Sequence, residues 1–273
     1  MIAGIFHEGS GLGDQLFRYI TVRTLAEGKG YEWGMANPEN YKGKDFMPLS
    51  LGIIAEDILF GTEPNSEWKE KDVRDPHGND IRSYDPEINF VEDRTIVDGS
   101  FEDSKYWGHN LKHINEWLKV EPLEVPEDLC VVGFRGGEYA TIPELFLPTS
   151  YYEQGIIAMH KINPNMRFEV HSDDPQIAEL MLTPIFGTNT KKITYVANEK
   201  ISHSKHTNMA FNWRSARYAK YAIIPNSAFF ILPRLLKHFE DPTAVTIAPR
   251  YWAGRNTCVW KRPSCYYKEF KYT

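Results

Sequence analysis

Apolar residues fall in short runs separated by polar and glycine-rich breaks, and the period of the runs changes along the chain. Residues 2–6 form an apolar stretch of strand length that leads into Gly9-Ser-Gly-Leu-Gly13. Over 15–26, Leu16, Tyr19, Ile20 and Leu25 recur at helical spacing, so this start predicts strand, glycine loop, helix. From 34 to 89 the chain is rich in Pro, Gly, Asn and charge without a clear period; it reads as irregular and peripheral, of the kind that lines a cleft. Residues 103–120 predict a helix through Tyr106, Trp107, Leu111, Ile114, Trp117 and Leu118. Glu121-Pro-Leu-Glu-Val-Pro126 then reads as a linker and sets a domain boundary near residue 125, giving domains 1–125 and 126–273.

Beyond the linker the pattern becomes regular. Strands are predicted at 129–134, 167–171, 192–196 and 221–225, and helices at 151–162, 176–182, 208–220 and 229–239. This alternation is the signature of the α/β class, a parallel sheet with helices on its faces. In such sheets ligands sit beyond the carboxyl ends of the strands, so the loops that follow strands are where chemistry is expected. Internal repeats and low-complexity tracts are absent from the sequence.

Composition narrows the picture. A chain of 273 residues, 42% hydrophobic and 25% charged, suits two globular domains. The 14% aromatic content serves core filling more readily than stacking on bases or sugars. A formal net charge of -6 argues against a nucleic-acid groove, so any phosphate must be held locally. Cys130, Cys258 and Cys265 form an odd count with no metal-type spacing, which argues against a disulfide framework and favours a reducing compartment, with a Cys258–Cys265 bridge left open. The N-terminus reaches Glu8 and Asp14 too soon for a signal peptide, and the apolar stretch 221–236 contains Pro225, Asn226, Pro233 and Arg234, which a membrane span would not tolerate. A soluble, cytoplasmic protein is the expectation. Nothing in the pattern selects an oligomeric state.

Four loops follow predicted strands. In Gly9-Ser-Gly-Leu-Gly-Asp-Gln15 the glycines let backbone N–H groups at a helix start approach an anion, although a glycine turn is more often structural. In Gly133-Phe-Arg-Gly-Gly-Glu-Tyr139, Arg135 stands at a carboxyl edge with Gly136 and Gly137 leaving room for a bulky ligand; a surface pair with Glu138 is the plain alternative. His171-Ser-Asp-Asp-Pro175 offers Asp173 or Asp174 as a helix cap and as an acceptor for a base. Pro225-Asn-Ser-Ala228 offers Asn226, Ser227 and the N–H of Ala228 as a second anion site or as a cap.

The chain resembles the bacterial-type alpha-1,2-fucosyltransferases and, more remotely, the alpha-1,6- and protein O-fucosyltransferases. Ser10-Gly-Leu-Gly-Asp-Gln-Leu-Phe-Arg-Tyr19 is similar to their N-terminal Gly-Gly-Leu-Gly-Asn-Gln segment, and Val97-Asp-Gly-Ser-Phe-Glu-Asp-Ser-Lys-Tyr-Trp107 to a segment with a Lys-Tyr pair. Gly133 to Tyr139 is similar to the His-x-Arg-Arg-Gly-Asp-Tyr motif, and Leu147-Pro-Thr-Ser-Tyr-Tyr152 to the helix start after it. Ser172-Asp-Asp174, Asn226-Ser-Ala-Phe229 and Ala248-Pro-Arg-Tyr-Trp252 fall in the family's order. The resemblance implies a GT-B-like architecture: two Rossmann-like domains with a cleft between them, the N-terminal one on the acceptor side, and a tail that returns to pack on it. It also implies inverting, metal-independent transfer of fucose from GDP-fucose, with no cofactor.

In that family the motif's first Arg holds the diphosphate, which is Arg135 here. The donor set implied is Gly11, Leu12, Gly13, Asp14 and Gln15, then His171, Ser172, Asp173 and Asp174, then Asn226, Ser227 and Ala228. Gly133 replaces the motif's His, Gly136 its second Arg and Glu138 its Asp; with this drift a UDP-linked sugar is the alternative donor, and a non-catalytic nucleotide- or glycan-binding protein is the rival reading. Glu144, Glu138, Glu8 and Asp14 are candidates for a general base, with Glu144 favoured. No Lys follows the N-terminal glycines as a P-loop requires, and His203 with His206 lacks a third zinc ligand.

Overall fold

A computed structural model describes residues 1–53, 66–187, 189–196, 207–252 and 267–273. Packing divides them into two units, Met1–Val120 and the described residues from Glu121 onward. Cys258, Cys265, His203 and His206 lie outside the described residues, as do residues 253–266 of the tail.

Unit 1 is built on a four-stranded sheet of β1 (Ile2–Ile5), β2 (Trp33–Ala36), β3 (Ser66–Lys69) and β4 (Thr95–Asp98), ordered β2-β1-β4-β3 with all neighbours parallel. Helix α1 (Leu12–Lys29) follows β1 and ends at Gly30, whose φ of 69° is the left-handed conformation a helix stop requires. The region read as irregular therefore supplies two strands. Trp-Gly-Met-Ala is too short to show a period, and Ser-Glu-Trp-Lys lies on the sheet edge, where polar residues face solvent. The helix expected over 103–120 is confined to α2 (Leu111–Trp117), preceded by a 3₁₀ turn at Gly108–Asn110. Trp107 is diverted from the helical pattern: its Nε1 donates to Phe101 O at 2.8 Å, and its ring packs 5.5 Å from that of Phe17.

In unit 2, six parallel strands form one sheet in the order β10-β9-β8-β5-β6-β7. They are β5 (Leu129–Phe134), β6 (Arg167–Ser172), β7 (Ile193–Tyr195), β8 (Tyr221–Ile223), β9 (Val245–Ala248) and β10 (Lys271–Tyr272). The helices are α3 (Thr149–Ile162), α4 (Pro175–Phe186), α5 (Thr207–Tyr218) and α6 (Ala228–Glu240). Buried Cys130, Val132, Phe134, Tyr152, Met159, Phe168, Val170 and Leu182 join the sheet to α3 and α4. Burying each large apolar side chain contributes roughly 1.5–3 kcal/mol. Among the described residues, Trp107, Trp213, Tyr19, Tyr152, Phe17 and Phe168 are fully buried, so these rings fill cores. No helix among the described residues is long and apolar enough to cross a membrane.

Under α6 lies a buried polar cluster. Arg234 Nε donates to Thr246 Oγ1, and His238 Nε2 sits 2.9 Å from the same hydroxyl. Because that oxygen already accepts from Arg234, its proton is available to a neutral His238. Burial, followed by the Arg234 charge, lowers the His238 pKa to about 4. The unfolded chain then takes up a proton near pH 6.5 that the folded chain refuses until pH 4. Stability from this group is therefore complete above pH 6.5 and lost as pH falls toward 4, by about 2–3 kcal/mol. Denaturant titrations of the protein and of His238→Gln should show this slope in the former and its loss in the latter; identical slopes would refute it.

Candidate functional site

In the six-stranded sheet the chain runs outward from β5 to β6 and β7, then returns to β8 on the other side of β5. The reversal leaves a crevice beyond the carboxyl ends of β5 and β8, the usual ligand position in such sheets. The loops after these strands carry Arg135 and Asn226-Ser227.

Arg135 is fixed by the loop after β6. Its Nη1 lies 2.7 Å from Asp173 Oδ2, Nη2 donates to Glu138 Oε1 at 3.3 Å, and its guanidinium carbon sits 4.9 Å from the Tyr139 ring centroid. Asp173 Oδ1 accepts from Gly136 N at 2.8 Å. One carboxylate therefore orients both the guanidinium and the loop that carries it. A guanidinium has five N–H groups; among the described residues two are engaged, and the Nε is a buried donor without a hydrogen-bond partner. Glu138 is 72% exposed and can yield to an incoming anion.

Structure corrects the reading of the flanking glycines. The room beside Gly136 and Gly137 is filled by the Asp loop: added Cβ atoms would lie 2.8 Å from Asp174 Cβ and 2.7 Å from Asp173 Oδ2. At Gly133 a Cβ would meet Pro225 Cδ at 2.6 Å and Phe230 Cζ at 2.8 Å. The space that a side chain at position 133 would need is thus filled by a proline and a phenylalanine from the chain after β8.

The other expected donor residues divide by role. His171 is fully buried, its Nε2 2.9 Å from Glu169 Oε1 and its Nδ1 2.7 Å from Asn212 Oδ1, so both ring nitrogens have protein partners. Ser172 Oγ accepts from Asp174 N, and Asp174 Oδ1 caps α4 by accepting from Ile177 N. Buried Asn226 donates through Nδ2 to Leu145 O at 2.9 Å and Trp252 O at 2.6 Å, tying the loop after β5 to the segment after β9, while its Oδ1 has no hydrogen-bond partner among the described residues. Ser227 occupies the N-cap of α6 without a side-chain cap bond, and Ala228 begins the helix. Glu144 is exposed in the turn that precedes α3.

Unit 1 has a corresponding reversal between β1 and β4. The glycine loop lies there: Gly11 is the N-cap of α1, no side chain caps the helix, and Asp14 is in its first turn. Leu12 and Gly13 are buried. Gln15 is fully buried, with its Nε2 donating to Asn40 O at 2.7 Å and its Oε1 accepting from Lys42 N at 3.0 Å. Its amide therefore braces the chain after β2.

The same edge holds residues that the sequence reading did not single out. His7, just after β1, has its Nε2 2.9 Å from Oδ1 of Asp98, the last residue of β4. Arg18 Nε lies 3.1 Å from the same oxygen. Burial lowers the Arg18 pKa, and Asp98 opposes that shift. Behind Asp98, Glu70 accepts from Ser100 N at 2.8 Å and Phe101 N at 3.3 Å and fixes the turn. His7 and Asp98 are 91 positions apart, so only strand pairing brings them together; in the sequence each ends an apolar run, and Asp98 falls in the segment Val97 to Trp107 quoted above.

The two parallel α/β units define the GT-B-like fold. The chain superposes on the crystal structure of the fucosyltransferase NodZ from Bradyrhizobium with a TM-score of 0.51 at 12% identity, over 86% of this chain and 93% of that one. It also aligns with NodZ alpha-1,6-fucosyltransferase co-crystallized with GDP (TM-score 0.49, 13% identity, 86% and 92% coverage). A further match is E. coli heptosyltransferase WaaC with ADP (0.49, 10%, 100% and 92%). At 12% identity, what is shared with the first is the fold. No family model and no curated protein matches the sequence.

Proposed function

We propose that this protein is a glycosyltransferase that moves a sugar, fucose from GDP-fucose in the first instance, onto a hydroxyl of a glycan acceptor. The observation that carries the reading is Arg135. It stands at the carboxyl end of β5 beside the crevice, is oriented by Asp173, and retains N–H groups for an anion. The ordered fucosyltransferase-like motifs and the fold support it.

On this reading the diphosphate lies against Arg135 and the uncapped N-terminus of α6 at Ser227, whose N–H groups and dipole favour anions. Guanidinium and helix N–H groups stabilise the charge that develops on the departing nucleoside diphosphate, which allows transfer without a metal ion. Direct displacement would invert the anomeric centre.

A thermal-shift panel of GDP, UDP, dTDP and their sugars tests the donor. Ligand at about 100 times its Kd adds about 2.7 kcal/mol to the native state. GDP and GDP-fucose should raise the Tm. A rise with UDP alone would remove fucose and leave transfer standing; no rise with any nucleotide would remove the whole reading.

A further inference from the structure

We infer that unit 1 carries a small-molecule site of its own, on the flank of α1 away from the glycine loop, which holds a sugar-sized polyol bearing a carboxylate or phosphate group. The pocket there measures about 380 Å³, inside the range of roughly 300–1,000 Å³ that small-molecule sites occupy. One wall is a single face of α1, where Thr21, Thr24, Leu25, Gly28 and Lys29 recur at helical spacing. From the rise of a helix these positions lie roughly 15–25 Å along α1 from Gly11, so the site is separate from the loop at the carboxyl edge of the sheet. Tyr84 and Asn89, before and within the 3₁₀ turn Pro86–Phe90, belong to the second wall, and Lys105 and His109 to the third.

Hydrogen bonds hold the walls together. Lys29 Nζ donates to Asn89 O at 2.8 Å and Asn110 Nδ2 donates to Thr24 Oγ1 at 3.2 Å, which ties α1 to each of the other two. Asp103 joins those two to one another: its Oδ2 accepts from Tyr84 N at 2.9 Å and its Oδ1 from Lys105 N at 3.0 Å. The pocket is therefore built before any ligand arrives.

Two residues carry the argument that it is built for one. Thr21 is 1% exposed and lines the pocket, yet its Oγ1 has no hydrogen-bond partner among the described residues. A buried hydroxyl in that state costs stability, and a polar atom of a ligand in the pocket supplies the missing bond. Gly28 lies inside α1, where glycine is a poor helix former, and a Cβ added there would meet nothing within 4 Å. No neighbour demands a glycine, but a side chain at this position would enter the pocket.

The chemistry of the lining sets the ligand class. Lys29 and Lys105 bring ammonium groups with three donors each, and no carboxylate stands among the described residues that line the pocket. The complement of such a lining is an anionic group. The Thr21 hydroxyl and the Tyr84 and Asn89 side chains suit the hydroxyls of a sugar, and Leu25 and Ile88 give apolar surface for the C–H face of its ring. A bare inorganic anion would leave most of the pocket unfilled. Because the site is assayed by binding alone, it stands or falls independently of the transferase reading.

Titration of the full chain with glucose 6-phosphate, glucuronate, glucose and inorganic phosphate tests it, with each Kd taken from ¹H–¹⁵N amide shifts. Both anionic sugars should shift residues 21–29, 84–89 and 105–110 and leave 9–15 unmoved. Glucose and phosphate should bind at least about 10-fold more weakly, the worth of one hydrogen bond to a charged group. Thr21→Val should weaken glucose 6-phosphate binding about 10-fold while the Tm holds or rises, because an unpaired buried hydroxyl is removed; a threonine with a merely structural role would leave binding unchanged. Gly28→Leu should abolish binding in a chain no less stable than the original. Failure of both anionic sugars to shift the three segments overturns the site, as does unchanged binding in Thr21→Val and Gly28→Leu. Phosphate or glucose binding as tightly as glucose 6-phosphate overturns the ligand class.

Discussion

Alanine at position 135 is expected to lower kcat/KM for sugar transfer by about 10³-fold, near 4 kcal/mol of transition-state stabilisation. The loss should fall mainly on kcat, because the leaving diphosphate gains charge in the transition state and the guanidinium binds that charge more strongly than the ground state. Folding should be little affected. Asp173 is 30% exposed, so water can replace its lost partner, and ion pairs of this exposure contribute about 0–1 kcal/mol. Arg135→Lys keeps the charge but not the planar fork, and should fall between the two. Measuring turnover with the donor saturating decides the matter: near-normal kcat in Arg135→Ala would sink the assignment.

The largest effect on stability is expected at Arg234. This side chain is fully buried, yet no carboxylate among the described residues bonds it. Its Nη1 donates to Ala216 O and Ala219 O at the end of α5, its Nε to Thr246 Oγ1, and its Nη2 to Lys220 O and Val245 O at the starts of β8 and β9. The cation closes the C-terminal carbonyls of one helix, where the dipole favours positive charge, and joins them to two strands. Burial drives its pKa down to about 9, so the site holds a charge at a desolvation cost that these acceptors offset. Arg234→Met removes the donors and leaves the carbonyls dry. The expected loss is about 4 kcal/mol, or about 12 °C in the Tm of a unit this size. Calorimetry of Arg234→Met and Arg234→Lys checks it, with Lys intermediate; a loss under about 1 kcal/mol for Met would show the network to be dispensable.

What could be read locally was read well in the second half of the chain. Strands β5 to β8 and helices α3 to α6 all appeared as apolar runs or helical stripes with boundaries within a few residues. The strands missed, β2, β3, β4, β9 and β10, are two to four residues long. A run that short shows no period; β1, β7 and β8 are no longer and were legible only from their place beside a predicted helix in the strand–helix alternation.

The candidate site divides in the same way. Arg135 is legible because it follows an apolar strand directly, and Asp174 as a cap because Pro175 follows it. Other features depend on partners far away in the chain. Gly133 gave no sign that Pro225 and Phe230 fill the place of a side chain, nor Gly136 and Gly137 that the Asp loop presses against them. His171 looked available because its loop position is right, and only the fold shows the carboxylate of Glu169 and the amide of Asn212 on its two nitrogens.

By itself, then, the sequence determined the alternation of strands and helices, and with it the parallel sheet and the edge at which Arg135 stands, because hydrophobic period and loop position are local properties. Tertiary structure alone decided that Asp173 orients Arg135 and that Asp98 meets His7, because parallel strands pair residues distant in sequence and side-chain chemistry at a sheet edge is set by that pairing.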